Sequence, residues 1–92
     1  MLPVNYTKLS PSQRREVRLQ YIIEQDNKCM YCGESLDDPA PNRITNKPIN
    51  WKLFPPNFLK HPIHLQHCHK TGMTEGAVHS YCNAELWQYE GI

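Results

Sequence analysis

Residues 64–83 read HLQHCHKTGMTEGAVHSYCN, and the rest of the chain is read outward from them. From Ile63 to His67 apolar and polar residues alternate as in a short strand. Lys70-Thr71-Gly72 and Glu75-Gly76 are turn signals, Ala77-Val78 is a brief return strand, and Ser80 can cap a last helix. The expectation is a hairpin followed by a helix. On that helix Cys82, Leu86 and Tyr89 fall on one side and Asn83 and Trp87 on the neighbouring side. Asn83 therefore lies in the first turn, beside Cys82, where its carboxamide can be aimed back toward the hairpin that carries His67.

Two metal signals overlap in this stretch. His79 and Cys82 stand two residues apart and answer Cys29-Met30-Tyr31-Cys32-Gly33 upstream, a turn in which two thiolates can meet one ion while the backbone reverses at glycine. A lone Cys-x-x-Cys also serves thioredoxin-like redox sites. Here that reading fails on context, because the motif ends a helix where a redox motif would open one, and the chain has no room for a thioredoxin-like sheet. Cys29, Cys32, His79 and Cys82 together make a Cys3His set, which suits a closed tetrahedral structural zinc site. The second signal pairs His67 with Asn83 across the glycines.

Upstream, 1–9 is a short arm without periodicity. Ser10-Pro11-Ser12-Gln13 is a helix start: Ser10 caps, Pro11 suits the first position and Gln13 completes a capping box. The predicted helix spans 10–27, with Leu19, Ile22 and Ile23 as its buried stripe and Gln13, Glu16, Gln20 and Glu24 facing water. Arg14 and Arg18, one turn apart, read equally well as phosphate contacts or as a solvated flank, since no aromatic residue is interleaved with them in the sequence. Lys70 in the hairpin turn is a third candidate contact.

Between the halves of the zinc set, residues 34–62 hold six of the eight prolines: Pro39, Pro41, Pro48, Pro55, Pro56 and Pro62. No periodic run survives them, so a long proline-rich loop is expected. Trp51, Phe54 and Phe58 suggest that it folds back as a satellite cluster. Arg43, Lys47, Lys52 and Lys60 would alternatively make it a flap against a ligand.

Composition sets bounds on all of this. A chain of 92 residues is one domain at most and hides too little surface to rely on its core alone, so a staple is expected. The opening Leu2-Pro3-Val4-Asn5 has no basic start and apolar run, so no secretory signal is expected, and the four cysteines are read as thiols of a reducing cytoplasm. No stretch is apolar enough to span a membrane. A net charge of +1 excludes a protein that holds nucleic acid by bulk charge, while leaving room for a local basic face.

The residues His64-Leu65-Gln66-His67-Cys68-His69 with Gly72, followed by Gly76 and Cys82-Asn83, together with Cys29-x-x-Cys32-Gly33, resemble the HNH nucleases, and most closely the phage recombination endonuclease VII branch. The resemblance implies a small zinc-stabilised α+β fold with a ββα-metal (His-Me finger) hairpin and helix over 63–90. It implies a metal-dependent DNA endonuclease of a bacterial or phage-infected cell, in which His67 is the general base and Asn83 a ligand of a catalytic magnesium or manganese ion. Three positions depart from the branch: Gln66 stands where an acidic metal ligand is usual, Cys68 replaces an acidic residue, and His79 replaces a cysteine.

Phosphodiester hydrolysis needs a water made nucleophilic and a stabilised leaving oxygen, which an imidazole neutral near pH 7 and a hard divalent ion supply. Magnesium takes few protein ligands, so Asn83 with the carbonyl oxygen of Gln66 suffices in outline, and His69 is assigned to the scissile phosphate. His64 is read as packing or orienting the hairpin, Cys68 as a small strand residue and His61 as solvent-exposed. Cutting both strands would need two copies, so a homodimer is one expectation. The alternative from another class is a zinc-stabilised DNA-binding or adaptor module with a degenerate catalytic centre.

Overall fold

Ser10 opens the first helix by exchange with Gln13. In the computed structural model, which describes residues 2–90, the Ser10 hydroxyl accepts from Gln13 N at 3.3 Å and Gln13 Oε1 accepts from Ser10 N at 2.8 Å. Helix α1 then runs Pro11–Glu24. It stops short of Asn27 because Asp26 and Asn27 take positive φ, 56° and 59°, a left-handed conformation that Asp and Asn tolerate better than most residues.

The buried face of α1 differs from the expected stripe. Of that stripe Ile22 does pack against the core, while Leu19 and Ile23 are 52% and 78% exposed; Val17, which is buried, and Tyr21, packed against the core, take their place. The helix and its C-cap meet β2 through polar atoms of Tyr21 and Gln25, spaced four apart. Tyr21 Oη lies 2.9 Å from Thr74 Oγ1, and the Gln25 amide both donates to Ala77 O at 2.9 Å and accepts from Ala77 N at 2.8 Å. A polar seam leaves no hydrophobic signature.

Strand β1, Ile63–His67, pairs antiparallel with β2, Thr74–His79, in the register Ile63 with His79, Leu65 with Ala77 and His67 with Thr74. The return strand is longer than Ala77-Val78, because Glu75-Gly76 belongs to it and only 68–73 forms the turn. Gly72, at φ 78°, donates to Cys68 O at 2.7 Å, and Cys68 N donates to Met73 O at 2.9 Å, so Cys68 closes the turn and lies outside the strand. The register shifts between Gln66 and His67, so the partner of His67 is Thr74.

The outer side of β2 is covered by other parts of the chain. The N-terminal arm, not foreseen as ordered, lies against it: Thr74 N donates to Val4 O and Tyr6 N to Gly72 O, each at 2.8 Å. Farther along, Met30 N donates to Ala77 O at 3.0 Å and His79 N to Cys29 Sγ at 3.5 Å. The packing at Gly76 is close: a Cβ there would lie 2.8 Å from both Gln25 Oε1 and Met30 Sδ, so these two side-chain ends would have to move.

Helix α2, Asn42–Thr45, buries Ile44, and helix α3, Ser80–Glu90, follows β2 directly, so Ser80 is its first residue and not its cap. Leu36, Ile44, Ala77, Val78 and Leu86 gather around Cys29 and Cys82 as the core. The 34–62 excursion is anchored along α3, in the manner of a satellite cluster. Phe54 is buried, Phe54 and Phe58 lie 4.7 Å apart, and Trp51 meets Tyr81 edge-on at 5.4 Å. Pro48 O accepts from Gln88 Nε2 and Tyr89 Oη.

Two of the four basic residues expected in a flap are used inside the molecule. Arg43 donates to Cys32 O at 2.6 Å, and Lys47 Nζ sits 3.4 Å from Oε1 of the fully buried Glu85. Among the described residues, no helix is long and apolar enough to cross a membrane.

Candidate metal centre and adjoining groove

The turn after α1 and the junction of β2 with α3 bring four ligands together. One ligand atom from each of Cys29, Cys32, His79 and Cys82 lies within 4.8 Å of all the others. The knuckle is formed by backbone: Cys29 N donates to Glu34 O at 2.8 Å, and Gly33, at φ 80°, donates to Cys29 O at 2.9 Å. His79 Nε2 lies 2.9 Å from Ser35 O and 3.0 Å from Asp38 O, acceptors that require the proton on that nitrogen. Nδ1 therefore turns its lone pair toward the sulfurs, 3.4 Å from Cys32 Sγ and 3.6 Å from Cys82 Sγ. Carbonyls behind a ligating imidazole fix its tautomer and plane in this way.

A hydrogen bond with Cys82, acting against burial, pulls Cys29 down to about 4, while the same contact and burial push Cys82 up. Burial also raises Cys32. One thiolate is comfortable there, and three in so small a space need a cation. All four cysteines are free thiols, so no disulfide competes for them. The cluster can hold a zinc ion with the closed Cys3His set of a structural site.

Asn83 follows Cys82 on α3 and lines a groove of about 500 Å³ on the neighbouring side. Residues 63–67 of β1 form one wall, Arg14 and Arg18 of α1 another, and Tyr6, Phe58 and Trp87 add rings. Among the described residues no carboxylate lines it. The arginines thus do have aromatic neighbours, brought in from remote segments that a local reading does not connect.

Inside the groove, Asn83 is 7% exposed, and its Nδ2 lies 3.0 Å from His64 Nδ1. Burial lowers the pKa of His64, which leaves Nδ1 free to accept. With its amide so turned, Asn83 Oδ1 is a buried acceptor without a partner. His64, read as hairpin packing, therefore orients Asn83. A buried carbonyl oxygen without a partner is the kind of donor a hard divalent ion could use.

Gln66 is 1% exposed, and its Nε2 donates to His67 O at 3.1 Å and to Glu75 Oε1 at 3.3 Å. Its nitrogen is committed, and what remains for an ion is a neutral carbonyl oxygen. This makes Gln66 the weaker of the two proposed ligands.

His67 lies in the groove with one face under Tyr6, ring centroids 3.9 Å apart and planes 5° from parallel. Burial first, then the charges of His69 and Arg14, lower its pKa against an opposing pull from Glu75. The imidazole is neutral near pH 7, as a proton acceptor must be.

The remaining candidates are placed unequally. Arg14 lies 4.0 Å above the Tyr6 ring with its Nε buried and unpartnered, and Arg18 lines the groove beside it. His69 is exposed and sits outside the groove wall, 4.7 Å from His67 and edge-on to Trp87 at 3.9 Å. Lys70 is exposed in the turn, away from the groove lining. Tyr6 was missed by sequence reasoning. No protein-family model, curated protein or solved structure matches this chain.

Proposed function

We propose that the chain is a metal-dependent endonuclease that hydrolyses phosphodiester bonds in DNA, with β1, β2 and α3 as a ββα-metal unit of the HNH type. The observation that carries this reading is the convergence of a neutral imidazole, His67, and an orphaned carbonyl oxygen, Asn83 Oδ1, on one groove lined by two arginines and no carboxylate. Arg14 and Arg18 receive the phosphate backbone. His67 takes the proton of the attacking water, and His64 holds Asn83 in place. A bound magnesium or manganese ion supplies charge stabilisation to the phosphoryl and leaving oxygens, and Asn83 with Gln66 would hold it. Zinc at the Cys3His cluster stabilises the fold and takes no part in the chemistry. Four free thiols fit a reducing cytoplasm, and a homodimer is the proposed form for cutting both strands.

A second reading is favoured by one specific observation, the glutamine at position 66 in a groove without carboxylates. A zinc-stabilised DNA-binding module with a degenerate centre would look the same there. Nicking of supercoiled plasmid with magnesium or manganese separates the two. Cleavage by the wild type that is lost in both His67→Ala and Asn83→Ala supports the endonuclease, whereas DNA binding without cleavage at any concentration of either ion rejects it in favour of the module.

A further inference from the structure

The N-terminal arm has no sequence periodicity, yet the fold gives it a defined place. Val4, Asn5 and Tyr6 run beside the end of the hairpin, with Val4 O accepting from Thr74 N, Val4 N donating to Thr74 Oγ1 at 3.0 Å, and Tyr6 N donating to Gly72 O. Asn5 and Met73 form an antiparallel bridge. Gly72, at φ 78°, takes the left-handed conformation that glycine adopts without strain, and a Cβ there would lie 3.1 Å from Asn5 Oδ1. Thr74 is also the register partner of His67. The arm is therefore fixed to the residue opposite the imidazole, and its first aromatic side chain lands on that imidazole.

We propose that Tyr6 is a positioning residue for the reaction proposed above: its ring fixes the plane of the His67 imidazole and, through its other contact, the place of Arg14. This rests on the endonuclease reading of the groove. Three groups from three segments form one stack, with the Arg14 guanidinium 4.0 Å from the Tyr6 centroid and the His67 centroid 3.9 Å from it. Arg14 also donates to Tyr6 O at 3.5 Å, which ties it to the same residue twice. His67 sits at an irregularity in the strand pairing, where backbone register alone controls side-chain direction poorly. A flat ring laid on its face restrains the imidazole plane without covering the ring edge, which carries both nitrogens. A base misplaced by about 1 Å loses on the order of 10²-fold in rate. The contact with His67 is ring on ring, so the phenol hydroxyl is dispensable to it and a phenyl ring can replace it.

The test uses the full-length, zinc-loaded chain and four proteins: wild type, Tyr6→Phe, Tyr6→Leu and Tyr6→Ala. Plasmid nicking with magnesium gives kcat and KM, and proton NMR reads the His67 ring, whose resonances the Tyr6 ring current displaces upfield. Zinc content and circular dichroism establish that each variant is folded. The expected result is a fall in kcat of about 10- to 100-fold in Tyr6→Leu and Tyr6→Ala, with a smaller change in KM, loss of the upfield displacement, and recovery of most of the rate in Tyr6→Phe. An unchanged kcat in Tyr6→Leu beside an active wild type overturns the proposal and leaves the endonuclease reading standing. So does a change confined to KM, which would make Tyr6 a binding residue, or a wild-type spectrum without the displacement. A wild type that shows the displacement and never cleaves overturns the endonuclease reading, and the positioning role falls with it.

Discussion

The Cys3His cluster and the groove share the first turn of α3, Cys82 facing one and Asn83 the other, yet they are built on opposite principles. At the cluster the donors are complete: four ligands lie within 4.8 Å of one another, and His79 is locked from behind by two carbonyls. At the groove the donors are sparse, one oxygen is left without a partner, and the residues that orient the site come from the arm, β1 and α1. Closure suits a structural ion and an open position suits a reacting one. The same turn of helix can serve both because adjacent helical residues point about 100° apart.

Removing the metal from the closed side gives the largest expected effect. Structural zinc contributes on the order of 10–16 kcal/mol in small zinc-bound peptides, as much as the whole stability of a typical domain, so strong chelation unfolds this chain. Circular dichroism and elemental analysis, with one zinc per chain before and none after, are the measurements. An unchanged spectrum after chelation would remove the cluster's structural role and with it the contrast.

On the open side the expectations follow from the proposed endonuclease: there His67→Ala should lower the nicking rate by roughly 10²- to 10⁴-fold, the range for losing a general base, while zinc content and DNA affinity stay near wild type. A joint loss of rate and zinc would mean that the two sites are not separable.

His64→Ala is a smaller blow. It frees the Asn83 amide without deleting it, so the magnesium concentration for half-maximal rate rises by about 10- to 100-fold, as when the support behind a metal ligand is removed. Saturating magnesium should restore much of the rate, and failure to restore it would assign His64 to the chemistry itself.

Smallest of all is the gain in Gln66→Asp, where a charged oxygen replaces a neutral one and the magnesium requirement drops a few-fold. Identical metal titration curves for the two proteins would end the case for a ligand at position 66.

How much of this was legible in the sequence depended on the kind of signal. The Cys3His set could be read because thiol and imidazole ligands at fixed spacing have few other uses, and the start of α1 because Ser10, Pro11 and Gln13 act within one turn. The hairpin and the last helix followed from alternation and turns, although Glu75-Gly76 belonged to β2. The buried face of α1 could not be read, because Tyr21 and Gln25 meet β2 through polar atoms. Tyr6 was invisible for a related reason: its arm docks through backbone hydrogen bonds, to which any sequence contributes. His64 was placed on the right element, but its contact with Asn83 spans 19 residues and exists only after folding.

The cover over β2 also has a consequence for how copies of this chain meet. An exposed strand edge is a template for edge-to-edge aggregation. Here the outward N–H groups of Thr74, Ala77 and His79 are taken by Val4 O, Gln25 Oε1 and Cys29 Sγ, three acceptors from three segments that otherwise serve the groove, the helix seam and the cluster. Strand addition on that side is blocked by the same contacts that build the sites, so the sheet cannot grow there into a continuous intermolecular ribbon. A symmetric pairing of two copies must therefore leave the outer edge of β2 alone. Loosening the arm or the knuckle would uncover that edge as a template for pairing with a second copy.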